Sequence, residues 1–179
     1  PFGADGTFSE EALINRTNAD LVNNLGNLFN RTVSMAHKYF NGKVENKDVL
    51  EDYDKSLIDS VNNLDKVLNE KMDGLKINEA LDELFDVFRK CNKYIDEATP
   101  WVLAKDETKK DRLETVLYNL LESIRVATVY LQAYLPDTAE KIFKVLNTDK
   151  TKYEDNTFNK DNKYNLNEPI HLFDRIEVK

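Results

Sequence analysis

Apolar residues recur at three- and four-residue steps along most of the chain, the spacing of one face of an α-helix. Leu21, Leu25, Leu28, Thr32, Ala36 and Phe40 mark a helix over about 20–40, capped by Asn18 or Asp20 and stopped by the Asn41-Gly42 pair. Before it, Ser9 caps a short helix running to about residue 16, with Glu10 and Glu11 in its first turn, where the helix dipole favours negative charge. Leu50, Tyr53, Leu57, Val61, Leu64, Leu68 and Met72 predict a single helix ended by Gly74. Ile77, Leu81, Leu84, Phe88, Cys91, Ile95 and Ala98 continue the spacing until Pro100, which disfavours helical geometry at Thr99. These two are expected to fold as an antiparallel hairpin.

A further helix over about 106–135 is apolar on several faces, which predicts a central position. After Pro136, Asp137 and Glu140 form a pattern of the capping-box type ahead of Ile142, Phe143 and Leu146. Residues 148–165 are polar and aperiodic and read as a surface loop, and 166–179 as a tail that packs back. No alternation of period two persists, and no repeat is visible. The expected fold is an all-α antiparallel helix bundle. At 179 residues it is expected to form one domain over 1–179, a monomer because no leftover apolar face is evident.

Composition sharpens this. Glycine and proline are scarce, five and four residues, and 32% of the chain is charged, which favours long solvated helices. The lone Cys91 has no partner for an intrachain disulfide and sits in an apolar seam, so a buried reduced thiol and a cytoplasmic home are expected. The Asn-x-Thr triplets at Asn15 and Asn30 are then coincidental. No apolar run reaches the roughly 18 residues of a membrane span, and the opening "PFGADGTF" has no signal-peptide character and no initiating Met, as in a piece of a larger protein.

The net charge of −8 argues against a nucleic-acid partner, but its distribution weakens the objection. Residues 45–86 hold thirteen acidic and five basic side chains and account for the whole excess. The rest is neutral, so the 20–40 helix, the surroundings of Trp101 and the 106–135 helix could present an RNA surface while the acidic hairpin faces away. Catalytic chemistry is not found. His37 and His171 have no metal-ligand partners at suitable spacing, and Glu168-x-x-His171 is interrupted by Pro169. Gly26 stands alone in its helix, so there is no phosphate loop.

Two features point to a ligand. With Leu28 at zero and about 100° per residue, Asn24 falls near −40°, Arg31 near −60°, Lys38 near −80° and Asn27 near −100°, a polar row beside the core stripe. An amide and a guanidinium four residues apart can hydrogen-bond one planar polar edge, such as an unpaired nucleobase; bracing of a neighbouring helix is the simpler alternative. Gly26 costs about 1 kcal/mol of helix propensity against Ala, which suggests that another backbone or a ligand approaches there. Trp101, the only tryptophan, follows Pro100 at a helix break, either as a loop residue packed on the core or as a platform for stacking bases.

The stretch "DGTFSEEALINRTNADLVNNLGNLFNRTVSMAHKYFNG" resembles the start of the anticodon-binding helical domain of bacterial methionyl-tRNA synthetases, and "NKYIDEATPWVLAK" resembles the Pro-Trp segment of that family. The ending "LFDRIE" is similar to its closing Leu-Phe-Pro-Arg-Ile element, with Asp174 in place of the proline. Thr17 to Asn24 depart from the family's usual Tyr-Asn-Ser-Asp-Leu-Ala-Asn-Asp. The resemblance implies that Asn27, Arg31 and Trp101 bind the CAU anticodon of tRNA(Met), chiefly its first base, with Asn24, Asp96 and Pro100 in support and Asp96 tuning anticodon choice. It also implies a parent enzyme, a methionine–tRNA ligase using ATP and Mg, with zinc having a place in its catalytic half. Neither the HIGH-type nor the KMSKS-type motif occurs in this chain, so the implied role is anticodon reading without catalysis, with no cofactor or metal of its own and no membrane or DNA partner. The competing reading is a stand-alone acidic bundle that binds a partner protein.

Overall fold

Ser9 accepts a hydrogen bond from the backbone N–H of Ala12 and starts a helical rod that does not break until Phe40. In this computed structural model, which describes residues 9–177, the rod has three parts: α1 (Glu10–Thr17), a π-helical segment (Asn18–Gly26) and α2 (Asn27–Phe40). The "DGTF" that opens the first family-like stretch and the last two residues of the tail lie outside the described residues. The helix start expected at Asn18 or Asp20 is absent. Asn18 is itself helical, and its side-chain amide is spent on the tail, donating to the Ile176 carbonyl at 2.8 Å and accepting from the Ile176 N–H at 2.9 Å. Asp20 pairs with Arg16 one turn earlier. The rod ends as expected, with Asn41 in the left-handed region (φ 52°) and Gly42 at φ 74°. A Cβ on Gly42 would come within 2.8 Å of the His37 ring, so only glycine fits.

A short strand, β1 (Lys43–Glu45), leads to α3 (Asp52–Asn62) and α4 (Leu64–Asp73). The pattern predicted one helix here. Asn63, at φ −83° and ψ −7°, interrupts it, and the side chain of the adjacent Asn62 turns to accept from the Phe158 N–H of the distant loop. Gly74 to Lys76 reverse the chain into α5 (Ile77–Ala98), which packs along α4 as the expected hairpin. At the end of α5, Thr99 takes a left-handed conformation (φ 44°), and Pro100 opens a one-turn helix, α6 (Pro100–Leu103). Proline suits this first position because its missing N–H would have no helical partner.

α7 (Lys110–Leu131) runs through the middle and contacts α2, α3, α5 and α8 (Pro136–Leu146). Every residue from Arg112 to Val129 is buried, as expected of a helix apolar on several faces. The capping box proposed for α8 does not form: Pro136 starts the helix two residues earlier than a cap at Asp137 would, no side chain caps it, and Asp137 lies inside the first turn as a charge on the helix dipole. The 148–165 segment contains a second strand, β2 (Lys163–Asn165), paired antiparallel with β1 so that Val44 faces Tyr164. Three-residue strands are too short to show a period of two, which is why the pattern gave no sign of them.

Two buried ion pairs hold these elements. Arg112 of α7 donates to both oxygens of Asp54 on α3, at 2.7 and 2.8 Å, and Asp54 also accepts from the Tyr94 hydroxyl of α5 at 2.6 Å. Three helices thus meet at one carboxylate. Arg125 has no exposed surface; it donates twice to Glu122 and once each to the carbonyls of Lys150, Asp155 and Thr157. All five guanidinium donors are matched, three of them by the 148–165 loop. Glu122 in turn accepts from the Lys160 N–H and the Tyr164 hydroxyl, which ties the same loop and β2 to α7.

Removing one partner of such a pair strands the other, so Arg125→Ala should lower stability by about 3–5 kcal/mol in urea unfolding, whereas Asp96→Ala, at an exposed ion pair, should change it by less than about 1 kcal/mol. Cys91 is buried, and burial pushes its thiol up to about 12. At pH 8 it should therefore resist a thiolate-selective reagent in the native state and react only after denaturation. Rapid modification of native protein would contradict this.

Candidate nucleic-acid interface

The polar row survives on α2 and fails on the π-helical segment. Asn27 is exposed, and Arg31, one turn further, has a third of its side chain exposed. Asn24 does not join them. Its amide donates to the Phe85 carbonyl of α5 at 3.3 Å and its oxygen accepts from Asn92 at 2.9 Å, so it braces α5 from a buried position. The reason is geometric: the i to i+5 ladder of Asn18–Gly26 turns more slowly per residue than an α-helix, so the angle assigned to Asn24 from α-helical spacing does not hold upstream of Gly26. The close approach expected at Gly26 is real. A Cβ there would lie 3.1 Å from the Leu21 carbonyl oxygen and 3.2 Å from the ring of Phe173 in the tail.

Arg31 Nη2 lies 3.3 Å from Asp96 Oδ1, in the last turn of α5. Asp96 is largely exposed, so this contact orients the guanidinium without closing it off from solvent. Beyond the end of α5, Pro100 is buried and fixes the α6 turn, while Trp101 beside it is 42% exposed. The structure therefore brings Asn27, Arg31 and Asp96 to one surface and sets Trp101 on the turn that follows Asp96. The indole stands on a short helix rather than in an irregular loop.

Charge is arranged to match. The acidic run ends at Asp86, in the first half of α5; Asp96 lies ten residues on, about 15 Å along the helix axis. Past Trp101, Lys105, Lys109 and Lys110 are exposed, and Lys110 lines one cleft together with Lys38 of α2 and Leu103 of α6. The Trp101 turn is thus flanked by mixed charge, with Asp96 and Glu97 before it and Asp106 and Glu107 interspersed among the three lysines after it. Among the described residues there is no group of His, Cys, Asp and Glu that could hold a metal ion, and no helix is long and apolar enough to cross a membrane.

Sequence reasoning missed the C-terminal tail as a neighbour of this surface. Ile170, His171, Leu172 and Phe173 lie alongside the rod and enclose a cleft of about 300 Å³ with Val22, Asn23, Gly26, Asn27 and Asn30. The signal available was the run of asparagines continuing past Asn27; the partner strand of chain was more than 130 residues away.

Comparison with known proteins bears on the family and the fold. Residues 44–177 match the family model described as the anticodon binding domain of methionyl tRNA ligase. The methionine–tRNA ligase of Clostridium acetobutylicum is 50% identical over 154 residues, 86% of this chain and 24% of that protein. That of Bacillus subtilis is 40% identical over 186 residues, covering all of this chain, and 28% of its own length. The chain thus spans about a quarter of the curated relatives it matches. Among solved structures, the apo form of Mycobacterium tuberculosis methionyl-tRNA synthetase superposes with a TM-score of 0.90 at 30% identity, covering 99% of this chain and 36% of that one. The stretch bearing Asn27 and Arg31 precedes the family-model match but lies within the full-length Bacillus alignment. An all-α bundle of this shape, matched over most of its length, belongs to the family of anticodon binding domains of methionyl tRNA ligase.

Proposed function

We propose that this chain is the anticodon-reading part of a methionine–tRNA ligase and that it binds the CAU stem-loop of tRNA(Met) through Asn27, Arg31 and Trp101. The observation that carries this reading is the placement of an exposed amide and a partly exposed guanidinium on one face of α2, with the guanidinium paired to Asp96, five residues before the half-exposed Trp101. The guanidinium fork and the amide read the hydrogen-bonding edge of the first anticodon base, and the indole stacks on its face. Asp96 holds Arg31 in place and biases anticodon choice, and Pro100 sets the indole; Asn24 contributes from beneath by joining the rod to α5. The parent's catalytic domain supplies methionine activation with ATP and Mg, with zinc having a place there. The chain acts as a monomer in the cytoplasm and contributes no catalysis of its own.

Stacking is indifferent to base identity, so Trp101→Ala should weaken stem-loop binding by about 1–3 kcal/mol whatever the first anticodon base. Arg31→Ala should cost a similar amount, about 1–3 kcal/mol, for CAU and less for a loop altered at that base, with discrimination falling alongside affinity. Arg31→Lys should not restore it, because an ammonium lacks the planar fork. Trp101 fluorescence should be quenched by CAU stem-loop; blue, RNA-insensitive emission, or an Arg31→Ala loss equal for every loop, would make this row structural.

Few phosphates are within reach of so few cations, so the affinity should fall with salt more gently than for about eight phosphate contacts. A steeper slope in salt titrations would contradict the reading. Pyrophosphate exchange by the pure chain is expected to be undetectable, and measurable exchange would overturn the non-catalytic assignment.

A further inference from the structure

A cleft of about 810 Å³ runs along α8 and is closed on its other side by the 148–163 segment and β2. None of the residues assigned to RNA lines it. Its floor is apolar: Ala139 and Phe143 of α8 join Val129 of α7 in a small cluster apart from the main core. Three side-chain amides on the walls are turned the same way. Gln132 donates to the Val129 and Thr151 carbonyls, Asn147 to that of Asn165 and Asn167 to that of Lys144. Their side-chain oxygens accept from no donor among the described residues and remain as acceptors for a ligand. β2 adds a short open edge. Tyr164 pairs with Val44, and the Asn162 carbonyl and the Leu166 N–H are used on the β1 side, so the N–H and carbonyl of Lys163 point away from β1. That is the edge on which Asn147, at the end of α8, reaches the Asn165 carbonyl.

Charge selects the occupant. Of the five charged side chains lining the cleft, two are already met: Asp161 accepts from the Thr148 hydroxyl, and Asp149 lies 3.1 Å from Lys150 Nζ. Lys144 on α8 and Lys163 on β2 are exposed and form no ion pair among the described residues. We propose that this cleft captures the free carboxyl-terminal end of another protein chain, bound extended beside β2 with its carboxylate between Lys144 and Lys163. An extended backbone supplies N–H donors for the three amide oxygens and both partners for the edge at Lys163, and an apolar side chain near the terminus rests on Phe143. Glu140 precedes Lys144 by one turn, toward the Pro136 end, and repels a carboxylate there, which sets the direction of the bound chain. An edge this short, guarded by a lysine, does not template pairing with unrelated strands; a terminal carboxylate turns that lysine into an attraction. A nucleic-acid phosphate fits less well, because it carries acceptors only and would face the amide oxygens.

The proposal does not rest on the anticodon reading, and its test is separate. The 179-residue chain is immobilised and offered a pool of hexapeptides randomised at every position, once as free acids and once amidated at the carboxyl end. Free acids with an apolar residue near that end should be retained at least about tenfold better than the amidated pool, the worth of a hydrogen bond to a charged group. The double variant Lys144→Ala/Lys163→Ala should lose this preference, and Glu140→Gln should keep it. All three positions are exposed, so the circular dichroism spectra should not change. The double variant should also bind CAU stem-loop within about twofold of the unaltered chain. The proposal is overturned if neither pool is retained, if the two are retained alike, or if the double variant keeps the preference for free acids. A loss of stem-loop affinity in the double variant would assign these lysines to RNA and overturn it too. Failure of Arg31→Ala and Trp101→Ala to weaken stem-loop binding would remove the anticodon reading and leave this one standing.

Discussion

The guanidinium of Arg125 lies wholly inside the bundle, where a charge is tolerated only if every donor finds an acceptor. Two acceptors come from Glu122 on the same helix, and three are backbone carbonyls of the 148–165 loop. The loop is therefore shaped by the needs of α7 rather than by any periodicity of its own. Its course past Arg125 carries Tyr164 onto Glu122 and lays β2 against β1, directly after the end of α2. From β2 the chain continues into the tail that flanks the rod. Much of what surrounds the candidate RNA surface is thus consequent on one buried ion pair.

The Arg112–Asp54 pair does similar work on the other side of α7. Burial opposes the charge on Arg112, but its hydrogen bonds to Asp54 and Tyr53 outweigh that, and the guanidinium remains charged throughout the working pH range. With α3, α5 and α7 joined at one carboxylate, the far end of α5 has a defined position, and with it Asp96 and the α6 turn. Rigidity of this kind matters for recognition, since a stacking platform and a guanidinium fork discriminate only when their separation is held.

The helical rod shows how local geometry can divide the work of similar residues. Four asparagines, 18, 24, 27 and 30, are close in sequence and chemically identical. Asn18 holds the tail, Asn24 holds α5, and Asn27 and Asn30 remain at the surface. The inward pair lies in the π-helical segment and the outward pair on α2. The charge pattern complements this division, with the acidic excess on α3, α4 and the first half of α5 and lysines beside Trp101. A chain of net charge −8 can in this way offer RNA a face close to neutral.

What the sequence alone determined were the features written in local periodicity and in residue type. The core stripes, the stops at Asn41-Gly42 and Pro100 and the central place of α7 all follow from spacing and from residues with restricted backbones, whereas the exposure of Trp101 was left open by the sequence and decided by the structure. Asn27 and Arg31 share a face because α2 is a regular helix with fixed turn. What only the tertiary structure decided depended on partners remote along the chain. The merging of α1 into α2, the kink at Asn63, the inward turn of Asn24, the β1–β2 pair and the tail beside Gly26 each arise where a buried polar group must be met by a residue far away, or where side chains far apart in sequence pack together. Spacing reports which face of a helix is apolar; it carries no information about which distant group will satisfy a hydrogen bond.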